Sequence, residues 1–256
     1  MNPKPSPVQP APERLAPHRP LTAYYQDEEE RQKFLRRVFD DSAPDYERVE
    51  RMLALGTGQR YRYQALQRAG LALGDRVLDV GIGTGMVARE ALKLIGPQGR
   101  LVGVDPSPGM MAQVGLPGVE LVPGQAEALP RPDASCDFLS MGYALRHISD
   151  LVSAFAEFHR TLRPGGRLLL LEITRPSGAL ATTLLKGYMR VVVPLMARVV
   201  ARERQSPELW SYYWDTIEAC VPPETVMAAL RNAGFVQVQR HVELGIFSEY
   251  TATRPA

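Results

Sequence analysis

The segment Arg76–Ala88, RVLDVGIGTGMVA, runs an apolar stretch through Asp79 into glycines at 81, 83 and 85 before a helical pattern resumes. Glycine tolerates unusual φ and presents no side chain, so a ligand can approach the backbone closely at Gly81, Gly83 and Gly85. A tight strand-to-helix turn with no ligand is the plain alternative. The nicotinamide fingerprint G-x-G-x-x-G would need glycine where the chain has Met86, so the spacing points to a smaller polar ligand. The next β-rich run, LVGVD, closes on Asp105 about twenty residues on, where nucleoside-binding α/β folds place an acid that accepts both ribose hydroxyls. Met110 and Met111 follow at the start of a helix, where a thioether can pack on a heteroaromatic ring or simply fill the core. A third polar cluster, Gly124–Pro130 (GQAEALP), and a fourth after Phe138–Met141 also follow apolar runs. Of the four histidines only His147 lies in such a cluster, and the ordinary imidazole pKa of about 6.5 suits a general base near neutrality. A partly exposed histidine at a helix start is its bland reading, and His18, His159 and His241 read as surface residues.

These groups need strand ends to hold them. Short β-rich runs lie at Arg76–Val80, Leu101–Val104, Val119–Val122, Phe138–Met141 and Leu168–Glu172, with helical patterns at Met86–Leu94 and Leu151–Leu162 between them. Strand and helix alternating in this way predict a mostly parallel, seven-stranded, Rossmann-like sheet covered on both faces, with ligands at its carboxyl end. A helix over Pro223–Ala233 and two closely spaced strands, Val236–Val242 and Phe247–Thr253, add an antiparallel edge. Upstream, an amphipathic helix over 27–46 and a second over Val49–Ala69 predict a helical cap across 21–70. The proline-dense residues 1–20 read as a disordered tail, and 71–256 as the ligand-binding domain. Residues 178–220 interrupt the alternation with apolar residues interleaved with Lys186, Arg190, Arg198, Arg202 and Arg204. That position predicts a helical lid over the active site, or a plain helical decoration, with a basic stretch 184–204 suited to an anionic membrane surface.

Composition limits the rest. With 30 Lys+Arg against 28 Asp+Glu in 256 residues, the chain lacks the basic excess of a nucleic-acid binder. Its two cysteines supply neither a disulfide framework nor a four-cysteine zinc site, and no metal is implied. The N-terminus lacks a signal-peptide h-region and no run approaches the roughly 18 apolar residues of a transmembrane helix, which predicts a cytoplasmic protein. The oligomeric state, a homodimer included, is left open.

Taken together, VLDVGIGTG, VGVDPSPGMM, GQAEALPRPDASCDF, YALRHISD and FHRTLRPGGRLLLLE resemble the class I S-adenosylmethionine (SAM) methyltransferases. More specifically, they resemble the ubiquinone/menaquinone biosynthesis C-methyltransferases, the UbiE family, over about residues 34–253. The resemblance implies that Asp79, Gly81, Gly83 and Gly85 surround the methionine part of SAM, that Asp105 holds the ribose and that Met110 contacts the adenine. Pro106, Ser107, Gln125, Ala126 and Glu127 complete the cofactor set, and Tyr46 closes over it from the cap. Arg146 would lower the pKa of a phenol or hold a water, beside His147 as base. The activity implied is C-methylation of a quinol ring, peripherally at the inner face of a membrane. His147 in place of the family's asparagine, and an ending without the family's basic, aromatic residues, keep two alternatives open. One is O-, N- or C-methylation of another small aromatic or specialised metabolite; the other is a SAM-binding protein without turnover.

Overall fold

The computed structural model of the chain describes residues 13–256 apart from 55 and 201–206. Helices α1 (Glu28–Leu53) and α2 (Gly58–Arg68) form the cap. Then β1 (Arg76–Val80), α3 (Met86–Ile95), β2 (Arg100–Asp105), α4 (Pro108–Met111), β3 (Glu120–Pro123) and β4 (Cys136–Gly142) follow in alternation. A 3-10 turn, Leu145–His147, leads to α5 (Leu151–Thr161) and the long β5 (Leu162–Ile173). Beyond it run α6 (Ala179–Gly187), a π-helical turn (Tyr188–Val192), α7 (Val193–Val200), α8 (Pro207–Ala219), α9 (Pro223–Asn232), β6 (Val236–Glu243) and β7 (Phe247–Thr253).

The seven strands form one sheet in the order β3-β2-β1-β4-β5-β7-β6. Pairings from β3 to β5 are parallel, while β7 is antiparallel to both β5 and β6, so the single reversed strand lies one place in from the edge. The strand order reverses between β1 and β4, and a crevice opens at such a switch point above the carboxyl ends. One face of the sheet packs Leu78, Leu139 and Leu170 on α5 and α9 through Phe155, Phe158 and Leu230. The other packs Val77, Phe138 and Leu169 on α2 and α3 through Leu66, Ala88 and Ala91. A third apolar cluster joins α1 to α7 and α8 through Phe34, Val38, Val193, Tyr212 and Trp214.

Several expectations need correction. The first helix does not stop near residue 46: α1 continues through Pro44 to Leu53, and the break falls at Gly56, whose φ of +75° suits glycine. Residues 1–12 of the expected tail lie outside the described residues, but 13–20 are tied down. Leu15 N donates to the Asp150 carboxylate (2.9 Å), Leu151 N to Leu15 O (2.8 Å) and Val221 N to Pro17 O (2.8 Å). His18, expected at the surface, is buried there and bridges to Cys220.

Arg146, fully buried, is the centre of the packing behind β4 and β5. Its Nε donates to Glu172, its Nη1 to Thr216 Oγ1 (2.8 Å) and Tyr213 O (3.2 Å), and its guanidinium stands over the Tyr213 ring at 4.9 Å. The pair therefore binds the turn after β4, strand β5 and helix α8 to one another. Removing one member leaves an uncompensated buried charge. Glu172→Ala is expected to lower unfolding free energy by about 3 to 5 kcal/mol in denaturant titration, whereas Glu243→Ala on the exposed rim of β6 should shift it little.

Candidate active site

A cavity of about 350 Å³ opens where β1, β2, β3 and β4 end, roofed by α1. Its floor is made by Gly81, Gly83, Asp105, Pro106, Ser107, Met110, Gln125, Ala126 and Glu127, all anticipated from the sequence. Tyr46 and His147 line it as well, but Asp79, Gly85 and Arg146 do not.

The glycine turn is shaped by the positive φ of all three glycines. At Gly81, whose N donates to Val104 O at 2.7 Å, a Cβ would meet the Ala144 Cβ at 2.7 Å, so only glycine lets the turn lie against the β4 loop. At Gly83 a Cβ would meet no atom within 4 Å, so its backbone faces open space. Gly85, at φ +87°, starts α3.

Asp105 is buried, and its two carboxylate oxygens accept from Gly83 N and Ser107 N, each at 2.8 Å. These bonds fix the carboxylate plane and leave each oxygen a further lone pair for a ligand diol. Burial outweighs those donors and pushes the Asp105 carboxyl up to about 6. Ser107 caps α4 by accepting from Met110 N (3.1 Å) and donates to Asp40 of α1. Asp40 also accepts from Gly109 N (2.9 Å), so one α1 carboxylate clips the cap to the β2 loop. Glu127 is held in turn by Ser149 N and Asp150 N.

Asp79 lies in the strand behind the cavity wall rather than on it. Its Oδ1 accepts from Ser140 Oγ (2.7 Å), while Oδ2 is buried without a partner. Burial, with Asp105 nearby, pushes its carboxyl up to about 7. An unpaired buried carboxyl beneath a polar cavity fits a cationic ligand, and SAM carries both a sulfonium and an ammonium.

The other half of the cavity is apolar and aromatic: Leu35, Phe39 and Tyr46 from α1, with Tyr143 and His147 from the β4 loop. The His147 ring packs on Phe39 (centroids 5.1 Å), Tyr212 (5.7 Å) and Tyr213 (5.6 Å), and neither ring nitrogen has a hydrogen-bond partner. Burial, then Arg146 and Arg31, hold its imidazole well below the usual histidine range. The expected pKa near 6.5 is thus corrected: His147 is neutral throughout the physiological range. Arg31 pins its loop by donating to His147 O and Ile148 O, both at 2.7 Å.

Arg146 points away from the cavity into its pair with Glu172, so the expected contact with a phenol is replaced by a positioning role. The expected lid is corrected too. No described residue of 178–220 lines the cavity; α7 and α8 pack on α1, and Tyr212 and Tyr213 reach His147 from behind.

Sequence reading missed Tyr143. It follows Gly142 with φ +61°, a strained backbone for a bulky residue, and its ring enters the cavity with Arg62 over it at 5.5 Å. Arg62, buried, donates to Glu50 at 2.6 Å. Burial raises the Tyr143 phenol well above its ordinary value, so it stays a neutral donor. The Tyr46 hydroxyl is instead engaged with that of Tyr213 at 2.7 Å.

The family model for the ubiE/COQ5 methyltransferase family matches residues 26–254. The chain belongs to that family. It is a SAM-dependent methyltransferase. Among similar proteins is the "Ubiquinone/menaquinone biosynthesis C-methyltransferase UbiE" of Hahella chejuensis, 31% identical over 214 residues, covering 80% of this chain and 84% of the relative. The enzyme of the same name from Pseudomonas fluorescens is 30% identical over 85% of this chain and 88% of its own length. In fold the methyltransferase resembles a possible histamine N-methyltransferase from Thermotoga maritima (TM-score 0.61, 23% identity, 85% of this chain and 99% of that one). It also resembles the [4+2]-cyclase SpnF (TM-score 0.62, 17% identity, 88% and 96%). Neighbours of such different activities share architecture alone, so the chemistry must be argued from the site.

Asp79 supplies a prediction with a defined sign. A carboxyl whose folded pKa is raised binds more protons when folded than when unfolded, so apo stability falls as pH rises from about 4 through about 7. Asp79→Asn retains an acceptor for Ser140 and removes this loss. The apo variant should be more stable than the parent at pH 8 by on the order of 2 to 4 kcal/mol, with the difference vanishing near pH 4. SAM affinity in calorimetry should fall in the same variant.

Proposed function

We propose that this methyltransferase transfers the methyl group of SAM to a ring carbon of a quinol in isoprenoid-quinone biosynthesis, as the printed names of its relatives describe for them. The observation that carries the reading is the division of one cavity into a polar half built on Asp105 and the glycine turn, and an aromatic half edged by Tyr143 and by His147, whose ring nitrogens have no partner. When bound, SAM supplies an electrophilic methyl on its sulfonium. Asp105, whose oxygens each keep a lone pair, would hold the ribose, and Met110, Ala126, Gln125 and Glu127 would line the base.

A ring carbon is a poor nucleophile until a hydroxyl ortho or para to it ionises. Phe39, Tyr46 and Leu35 orient a flat ring, which supplies proximity and excludes water. His147 is the proton acceptor at the cavity wall: it is unprotonated at neutral pH, though its lowered basicity makes it a weak base. The remaining help comes from stabilising the ionised oxygen. Tyr143, a neutral donor whose ring lies under the Arg62 guanidinium, would donate to it. Arg146 and Arg31 act through the loop they hold, not on the substrate.

Mass spectrometry of reactions with methyl-labelled SAM should show one methyl added to ring carbon of short-chain demethylmenaquinol or a ubiquinol precursor, and none to the oxidised quinones. No transfer to either reduced form by a SAM-binding enzyme would overturn the quinol assignment. Tyr143→Phe is expected to lower kcat/KM about a hundredfold with SAM affinity intact. His147→Ala should lower kcat, and at saturating SAM the kcat profiles of parent and variant should have the same shape around pH 6.5, because the imidazole is already deprotonated there.

A further inference from the structure

Helix α6, the π-helical turn and α7 run on without a break, and over Ala179–Val199 this 21-residue helix reaches a mean hydropathy of 1.2. By length and composition it is the one helix among the described residues able to cross a bilayer, which the basic interruptions in its sequence conceal. It does not fit a spanning role. Its inner face buries Met189, Val193 and Ala197 against Phe34 and Val38 of α1 and Tyr212 of α8. Its outer face carries Leu180, Leu184, Val191, Leu195 and Val199, exposed by 75%, 65%, 65%, 59% and 79%. These are spaced four, seven, four and four residues apart, which places them on one stripe about 30 Å long.

Of the basic residues along this helix, Arg198 is exposed beside Leu195 and Val199, and the other two described ones turn away from the stripe. Lys186 turns to Glu218 (2.8 Å) and Arg190 to Asp215, both on α8, so two of the basic residues are already neutralised. Arg202 and Arg204 lie outside the described residues. No acidic residue occurs between 179 and 200 to repel a lipid surface. A second copy of the chain is a poorer occupant, since a stable dimer buries roughly 800 Å² per partner and a single row of five aliphatic side chains is narrow for that.

We propose that the outer stripe of this helix lies in the interface of a lipid bilayer by apolar burial, and that the contact does not depend on anionic headgroups. Leu180, Leu184, Val191, Leu195 and Val199 enter the acyl boundary while the paired Lys186 and Arg190 remain on the protein side. The binding is carried by the helix alone and is independent of what the enzyme methylates.

The test is flotation of the full chain, without cofactor or acceptor, with phosphatidylcholine vesicles and with vesicles containing one third phosphatidylglycerol, at low and at 0.5 M salt. The expected result is flotation with both compositions, changed less than threefold by salt. Leu184→Ser with Leu195→Ser, both at exposed positions, should reduce partition at least tenfold with an unchanged circular dichroism spectrum. Arg198→Gln should change it less than twofold. Flotation only with the anionic vesicles and lost in salt would overturn the apolar mode. Absence of flotation with any vesicle would overturn the contact itself, and a dimer in sedimentation that the double variant dissociates would assign the stripe to a second copy.

Discussion

Arg146 and Glu172 form a pair that the surrounding structure must satisfy. Two charges removed from water are tolerable only with good geometry and further hydrogen bonds. Thr216, the Tyr213 carbonyl and the Tyr213 ring supply these from α8. The consequence reaches the cavity because the residue after Arg146 is His147, whose ring packs on Tyr212 and Tyr213 of the same helix. The α6–α8 insertion thus borders the site without covering it: α8 supplies the wall against which the His147 loop is set. Arg31 holds the opposite side of that loop through two carbonyls, so His147 is fixed between two arginines, and burial first and those charges second keep it neutral.

The polar half of the cavity differs in having no ion pair: Arg146 and Glu172 each leave one buried atom without a partner but have each other, whereas Asp79 and Asp105 are buried with no cation paired to them. Asp79 has an orphan oxygen and Asp105 spends its bonds on two backbone donors, and both carboxyls are raised by burial. A protein that never met a cation or a diol there would be more stable with neutral residues. Stability given up at a site and recovered on binding is a common mark of preorganisation. The aromatic half carries a smaller cost of the same kind, since both His147 ring nitrogens are buried without a partner but the imidazole is neutral.

Most of the strands and central helices were legible, and for a physical reason: parallel strands buried on both faces read as continuous apolar runs, and each polar cluster sits where such a run stops. The glycine turn and Asp105 were equally plain, because their function depends on local backbone shape and short spacing. What escaped notice depends on distant partners. Nothing local tells that Arg146 meets a glutamate 26 residues on rather than a substrate. Nor does local pattern show that Asp40 clips to Ser107 or that residues 13–18 dock on α5 and the chain before α9. The left-handed backbone at Tyr143 had no signal, since glycine would be the usual residue there.

Helix α1 joins the two halves of the molecule through its own periodicity. Arg31, Leu35 and Phe39, spaced four apart, face the cavity, while Phe34 and Val38, one position earlier in each turn, face the α7–α8 cluster. Adjacent stripes of one rigid rod therefore roof the site and support the exposed apolar helix. Asp40, one residue beyond Phe39, extends the same rod to the loop that carries Asp105. The polar end of the cavity, its aromatic half and the apolar outer helix are in this way all contacted by one helix, which runs through Pro44 and breaks only at Gly56.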